Sequence, residues 1–297
     1  MKLNWIKRQN SPARSVALGT FDGVHLGHQK LLQEAIARKT VGGTSCVFTF
    51  DIPPEQYFQG SLRLVSSFES RVELFLSFGI DEVAWLPFGP QFTSMTAQDF
   101  VTKILVEELR ASEVVCGYDY HFGSKRGGDA NYLKEQGNLY GFSVTVVPPV
   151  QTEGGQTISS TGIRGFLAQG QLAQAAAHLG YYPAYLGTVV PGRANQARTV
   201  TIKVDPALVL PKDGVYLTWL VLPGSKGAFA IASVYGSFLI ELFLFDADGA
   251  VEAQVLEVQF LHKLREDGID QLTESDLLAA RQLLPGFHLQ DTKVVLR

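Results

Sequence analysis

The stretch Gly19-Thr20-Phe21-Asp22-Gly23-Val24-His25-Leu26-Gly27-His28 decides how the chain is read. Before it, Ser15-Val16-Ala17-Leu18 is a short apolar run of strand character; after it, Leu31, Leu32, Ala35 and Ile36 fall on one helical face. The motif therefore sits where a buried strand gives way to a helix. In a parallel α/β sheet, ligands bind beyond the carboxyl ends of the strands. A helix start offers unpaired N–H groups and the positive end of its dipole to a phosphate. Gly19, Gly23 and Gly27 let the backbone approach a ligand closely. His25 and His28, three residues apart, face one point from about one helical turn.

Around that centre the pattern alternates. Strand-like apolar runs at residues 15–18, 44–50, 82–86, 113–116 and 143–147 are separated by segments that include helical patterns at 69–78 and 97–109. The second helix carries Phe100, Val101, Ile104 and Leu105 on one stripe. Crossovers long enough to hold a helix predict a parallel sheet covered on both faces, an α/β fold. Near Pro183 the pattern changes. Strand-like runs at 185–190, 199–204, 215–221, 229–234, 238–245 and 251–260 follow one another, broken by Pro, Gly and Asp, before one helical segment at 274–284. Strands in succession predict an antiparallel sheet or closed barrel. The expected domains are 1–184 and 185–297.

A chain of 297 residues exceeds the usual single-domain size, so two cores are the default expectation. A net charge of −4 excludes a general attraction to nucleic acid or anionic membrane, so any polyanion site must be local. No run reaches the ~20 apolar residues that span a bilayer, and the basic start of the chain has no apolar leader core. Cys46 and Cys116 each lie in an apolar run, as free thiols of a reducing compartment do. The expectation is a cytoplasmic protein with small-molecule ligands, no nucleic-acid partner and no membrane partner; self-association stays open.

Three readings are open for the histidine pair: two satisfied helix residues, a metal pair, or N–H donors to phosphate. No neighbouring Cys, His or Glu set completes a metal site, so no metal ligand is assigned. The glycines and the strand-to-helix position favour phosphate, with the imidazoles stabilising a pentacoordinate transition state. A second constellation is Ile158-Ser159-Ser160-Thr161-Gly162-Ile163-Arg164. Hydroxyls ahead of a helix are good caps; with the helix N-terminus and an Arg one turn on, they also make a triphosphate cradle. A third runs from Cys116 through Gly117, Asp119, His121, Lys125 and Arg126 to Asp129, a strand end followed by a glycine-rich basic loop. A fourth is Thr49-Phe50-Asp51-Ile52-Pro53-Pro54-Glu55-Gln56-Tyr57-Phe58, after the second strand, where prolines are ordinary turn formers.

Taken together these stretches resemble the bacterial FAD synthetases, the adenylyltransferase half of the bifunctional riboflavin kinase/FMN adenylyltransferases. The His-x-Gly-His core is shared with other nucleotidylyltransferases; the longer form with Phe-Asp-Gly-Val points to the flavin branch. The resemblance implies a Rossmann-like nucleotidylyltransferase domain, then an antiparallel β-barrel domain with a C-terminal helix. It implies ATP and FMN as substrates, FAD as product, and Mg²⁺ carried mainly by the nucleotide. It assigns His25, His28 and Arg164 to catalysis. Nucleotide or flavin binding falls to Gly19, Thr20, Phe21, Asp22, Gly27, Phe50, Asp51, Gly117, Asp119, Arg126, Ser159, Ser160 and Thr161. His121 stands where the family usually has Arg, and Ile52-Pro53 replaces its Pro-His.

The second half is similar to the family's riboflavin kinase module. Pro211-Lys-Asp-Gly-Val-Tyr216 matches Pro-x-x-Gly-Val-Tyr, and Ile240-Glu-Leu-Phe-Leu-Phe245 matches the strand that carries the proposed base, here Glu241. The Gly-Phe-Pro-Thr-Ala-Asn motif expected after Gly192 is replaced by Arg193-Ala-Asn-Gln-Ala-Arg-Thr-Val-Thr201, where Asn195 or Thr199 are the candidate substitutes. The resemblance thus implies an FMN adenylyltransferase whose kinase-like domain is inactive or weakened. The alternatives are a fully bifunctional enzyme, a nucleotidylyltransferase with another phosphorylated acceptor, and a binding protein without turnover.

Overall fold

The computed structural model describes residues 2–191, 199–221, 227–236, 238–245, 254–266 and 273–287. The chain divides into two compact units, one from the residues up to Leu62 together with Phe68–Ile158, the other from Arg63–Ser67 together with the chain from Ser159 on.

The first unit is built on strands β1 (Asn4–Ile6), β2 (Arg14–Leu18), β3 (Thr44–Phe50), β4 (Glu82–Leu86) and β5 (Ala111–Gly117). A small ribbon of β6 (His121–Phe122) and β7 (Gly128–Asp129) follows, then β8 (Ser143–Val147). The main sheet has the order β1-β4-β3-β2-β5-β8. All pairs in it are parallel except β1 with β4. Every residue of β2 and β3 is buried, as strands covered on both faces require. The five predicted parallel strands are present, β2 starting one residue earlier than its apolar run because Arg14 is itself buried. Its Nε lies 2.7 Å from Glu82 Oε2, which also accepts from Thr44 Oγ1 at 2.6 Å, so one ion pair ties the first residues of β2, β3 and β4.

The helix predicted at 97–109 is an α turn at Ala97–Asp99 that continues as a π-helix over Phe100–Glu108. Leu109 N–H reaches back five residues to Ile104 O at 2.9 Å. The wider turn keeps the expected stripe inside: Phe100, Val101, Ile104 and Leu105 are buried against β2, β3 and β5 residues such as Val16, Phe48 and Val114.

In the second unit β9 (Ala184–Val190), β10 (Thr199–Val204), β11 (Gly214–Val221), β12 (Ala228–Tyr235), β13 (Leu239–Leu244) and β14 (Val255–Arg265) close into an antiparallel barrel, β10-β13-β12-β11-β14-β9. Even-numbered residues such as Ile202, Tyr216, Ala232, Leu242 and Phe260 fill it. Outward residues Val215, Leu217, Ile231 and Leu261 pack with Ala280 of the helix Glu274–Leu283. Two further helices, Ser160–Ala168 and Leu172–Leu179, share the barrel's cluster through Ile163, Leu167, Ala175 and Leu179. Packing thus groups residues 159–183 with the barrel, ahead of its first strand. No helix among the described residues is long and apolar enough to cross a membrane.

Candidate active site

β2 lies at the middle of the sheet. From it the chain passes outward through β3 and β4, then returns to place β5 on the other side. The gap beyond the carboxyl ends of β2 and β5 is the topological switch point of a doubly wound sheet, where such folds take their ligands. Gly19 leaves the end of β2, Phe50 and Asp51 close β3, and Gly117 ends β5 just before Asp119. Three of the four predicted constellations therefore share one sheet edge.

The turn after β2 is tightly wound. Phe21 (φ 56°) and Val24 (φ 37°) hold positive φ beside Gly23 (φ 78°), and Val24 N–H closes the turn on Phe21 O at 3.0 Å. Left-handed backbone at non-glycine residues costs on the order of 1–3 kcal/mol each and persists only where the surroundings enforce it. Here the fully buried Phe21 ring is the anchor. It sits edge-on to His28 and to Phe75, 5.2 Å from each. Phe21 therefore supports His28 from within, and Asp22 is buried with it.

His25 is the N-cap of the helix Leu26–Ala37, and its Nδ1 accepts the His28 N–H at 3.3 Å. That bond assigns the tautomer: a neutral His25 carries its proton on Nε2. The two imidazoles stack with centroids 3.6 Å apart and planes 15° from parallel. Gly27 makes the stack possible, since a β-carbon there would stand 3.0 Å from His25 Cε1 and 3.1 Å from Nδ1. His28 Nδ1 is buried and has no hydrogen-bond partner among the described residues. Burial first, then the neighbouring His25 and Arg71 charges, push the His28 pKa well below 6.5. His28 is a neutral imidazole at pH 7, so the pair offers N–H donors at a helix start without two cations in contact.

The other predicted residues divide by role. Asp51 Oδ1 accepts from Ile52 N at 2.7 Å and Phe88 N at 2.9 Å, pinning the turn after β3 to the segment after β4. Phe50 packs edge-on to Phe88 and Phe92. Tyr57 and Phe58 extend that cluster, and Phe58 is 70% exposed. Phe50, Tyr57 and Phe58 lie in the fourth predicted stretch; Phe88 and Phe92 do not, and an aromatic two residues past a strand end, as at Phe88, is the signal available for them. At the end of β5, a β-carbon at Gly117 would come 3.2 Å from Asp119 Oδ1. His121 Nδ1 lies 2.7 Å from Asp119 O and 2.9 Å from Arg126 Nη2. One nitrogen cannot serve both at once: protonated it donates to the carbonyl, deprotonated it accepts from the guanidinium. Arg126 thus brings a cation to the position where His121 replaces the expected Arg.

In the second unit Ser159 caps the helix Ser160–Ala168, accepting from Gly162 N at 3.2 Å, and Arg164 Nη2 donates to Thr161 Oγ1 at 3.0 Å. Ser160 and Thr161 fill the first turn. Within the first unit, the carbonyl of Ile158, one peptide bond before Ser159, stands 4.0 Å from the β-position of Gly27. On the barrel, Glu241 pairs across strands with Thr201 and Ser233, whose buried hydroxyls have no partner among the described residues. Residues 192–198, with Asn195, lie outside the described residues, as do Ser237 and 251–253 of the last predicted strand. Thr199 opens β10 and is paired there with Phe243 of β13.

An imidazole-bearing helix start at the switch point of a parallel sheet, followed by a six-stranded barrel, defines a nucleotidylyltransferase-type α/β unit joined to a β-barrel unit. Comparison with known proteins agrees. Residues 7–162 match the FAD synthetase family and residues 179–275 the riboflavin kinase family. A bifunctional riboflavin kinase/FMN adenylyltransferase of Pseudomonas fluorescens is 31% identical over 287 residues, 90% of this chain and 91% of that one. The protein of the same description from Escherichia coli K12 is 34% identical over 230 residues, 74% of this chain and 72% of its own. A crystal structure described as a macrolide-efflux protein from Streptococcus pneumoniae superposes with TM-score 0.75 at 30% identity, covering 94% of this chain and 93% of that one. The chain belongs to the bifunctional riboflavin kinase/FMN adenylyltransferase family.

Proposed function

We propose that this chain transfers AMP from ATP to FMN, giving FAD and pyrophosphate. The observation that carries the reading is the stacked His25–His28 pair at a helix start, with Gly27 making room and a buried ring nitrogen left without a partner. In the reaction an FMN phosphate oxygen forms a bond to the α-phosphorus of ATP as the bond to the bridging α–β oxygen breaks, and pyrophosphate leaves. His25, through Nε2–H, and His28 donate to the α-phosphate oxygens, where negative charge gathers. No general base is needed, because the attacking phosphate is already an anion. Catalysis is then positioning plus electrostatics.

Gly19, Thr20, Gly27, Gly117, Asp119 and Arg126 are assigned to lining the nucleotide and flavin site; Ser159, Ser160, Thr161 and Arg164 are assigned to the departing pyrophosphate. The exposed rings of Phe58 and Tyr57, backed by Phe88 and Phe50, suit a planar isoalloxazine. Mg²⁺ is assigned to the nucleotide and not to a cage of protein ligands. When bound, it neutralises polyphosphate charge.

For the barrel, a kinase activity that is lost or weakened is the reading favoured by the missing Pro-Thr-Ala-Asn stretch. Retained activity is favoured by the match of 179–275 to riboflavin kinases and by Glu241 flanked by two unpartnered hydroxyls. The functional division is taken as 1–184 and 185–297, with a cytoplasmic setting. One assay separates the readings: ATP and Mg²⁺ with either riboflavin or FMN, measuring FMN, FAD and pyrophosphate. FAD from FMN supports the transferase; its absence with intact ATP and FMN overturns it.

A further inference from the structure

Arg71, on the helix Phe68–Ser77, is fully buried, and no motif marks it. Its Nη1 donates to Thr20 O at 2.6 Å, Phe50 O at 3.1 Å and Thr49 Oγ1 at 3.4 Å, and its Nη2 donates to Asp51 O at 2.6 Å. Three of these acceptors are backbone carbonyls at the last residue of β3 and just past the ends of β2 and β3. A flat guanidinium fork reaches both loops at once; a lysine ammonium is a single point of charge and cannot span them in the same way. Burial of an ion costs several kcal/mol unless its donors are well used, so a packing role alone would be met more cheaply by an apolar side chain. Here the two terminal nitrogens are used and Nε is buried with no hydrogen-bond partner among the described residues.

The same helix face continues to the histidines. Phe75, four residues on, props Phe21, whose other side meets His28. Asp22, Asp51 and Glu69 face the guanidinium and oppose the effect of burial, which lowers its pKa to about 10, so Arg71 is a cation at neutral pH. His28 in turn is faced by that cation and by His25.

We propose that Arg71 is a positioning residue for adenylyl transfer, locking the turn at Thr20 to the turn at Asp51 and setting a fixed positive charge behind His28. This inference rests on the function proposed above, and its test has a readout that does not. In the full chain, Arg71→Met and Arg71→Lys are compared with the unmodified protein by circular dichroism, by FAD formation from ATP and FMN, and by NMR titration of the His28 ring. Arg71→Met is expected to lower kcat ~10²-fold with a smaller change in KM, since loop register and not ground-state contact is lost. Its His28 midpoint moves up, with burial and His25 still holding it below the ordinary value. Arg71→Lys keeps the charge, so the midpoint stays low, yet recovers only part of kcat. Wild-type kcat and an unmoved His28 midpoint in folded Arg71→Met overturn the inference. If that variant does not fold, Arg71→Lys decides alone, and full wild-type kcat there overturns it. If the unmodified protein makes no FAD, the proposed function fails while the His28 shift still tests the placement of Arg71's charge.

Discussion

Gly27→Ala isolates the stacked histidines from the stability of the fold. The added methyl would stand 3.0 Å from His25 Cε1 and 3.1 Å from its Nδ1, closer than side-chain carbons pack, so the ring must swing by a few tenths of an ångström. That motion opens the 3.6 Å stack on His28 and stretches the 3.3 Å capping bond from His28 N–H. A lost N-cap bond costs about 0.5–2 kcal/mol. Alanine in place of glycine in a helix returns about 0.8–1 kcal/mol. The two nearly cancel, and with roughly 2–4 °C of Tm per kcal/mol in a domain of 150–250 residues, Tm should move only a few degrees. Activity has no such compensation, because a displacement of this order at reacting groups costs ~10–10²-fold. The assay is FAD formation from ATP and FMN with thermal unfolding on the same preparation. Unchanged kcat in a Gly27→Ala protein whose His25 NMR signals have shifted would refute the reasoning, since the ring would have moved without consequence.

Other consequences follow from the same geometry. His28 binds its proton more weakly in the fold than in the unfolded chain, so between 6.5 and its lower folded value the unfolded state holds the extra proton. Stability from this group is present above pH 6.5 and falls as the pH drops below it. Urea midpoints from pH 5 to 8 should show a slope that His28→Gln flattens, and an equal slope in the variant contradicts the assignment. Arg14→Met leaves Glu82 buried without its cation and should cost about 3–5 kcal/mol in urea unfolding; a loss below 1 kcal/mol means the pair contributes little. His121→Arg puts a fixed cation beside Arg126, 2.9 Å from the present ring, and should lower the FMN KM; an unaltered KM removes His121 from flavin binding.

The first unit was legible because its strands are buried on both faces and read as near-continuous apolar runs, Thr44–Phe50 being the clearest. The ends were less legible where polar residues are buried in pairs: Arg14 breaks the apolar run and still belongs to β2 through Glu82, 68 residues away. Periodicity put Phe100, Val101, Ile104 and Leu105 inside, but it does not distinguish an α from a π winding over nine residues. Of the candidate site, the motif gave His25 and His28. It did not give their stack, which depends on a positive φ at Phe21 and on bare space at Gly27. Arg71 was hidden for a different reason. A charged residue in an amphipathic helix reads as surface, and only the fold shows that its acceptors are strand-end carbonyls from Thr20, Phe50 and Asp51. The barrel announced itself through strand succession, whereas the helices Ser160–Ala168 and Leu172–Leu179 precede it in sequence and pack with it through Ile163 and Leu179.

The most direct test of the central claim follows the phosphorus. With ATP labelled at the α-phosphate, FMN and Mg²⁺, the account predicts label in FAD, unlabelled pyrophosphate released in equal amount, and a rate lower by ~10²-fold or more for His28→Ala in a folded protein. Label that stays in ATP, or an undiminished rate in His28→Ala, contradicts it.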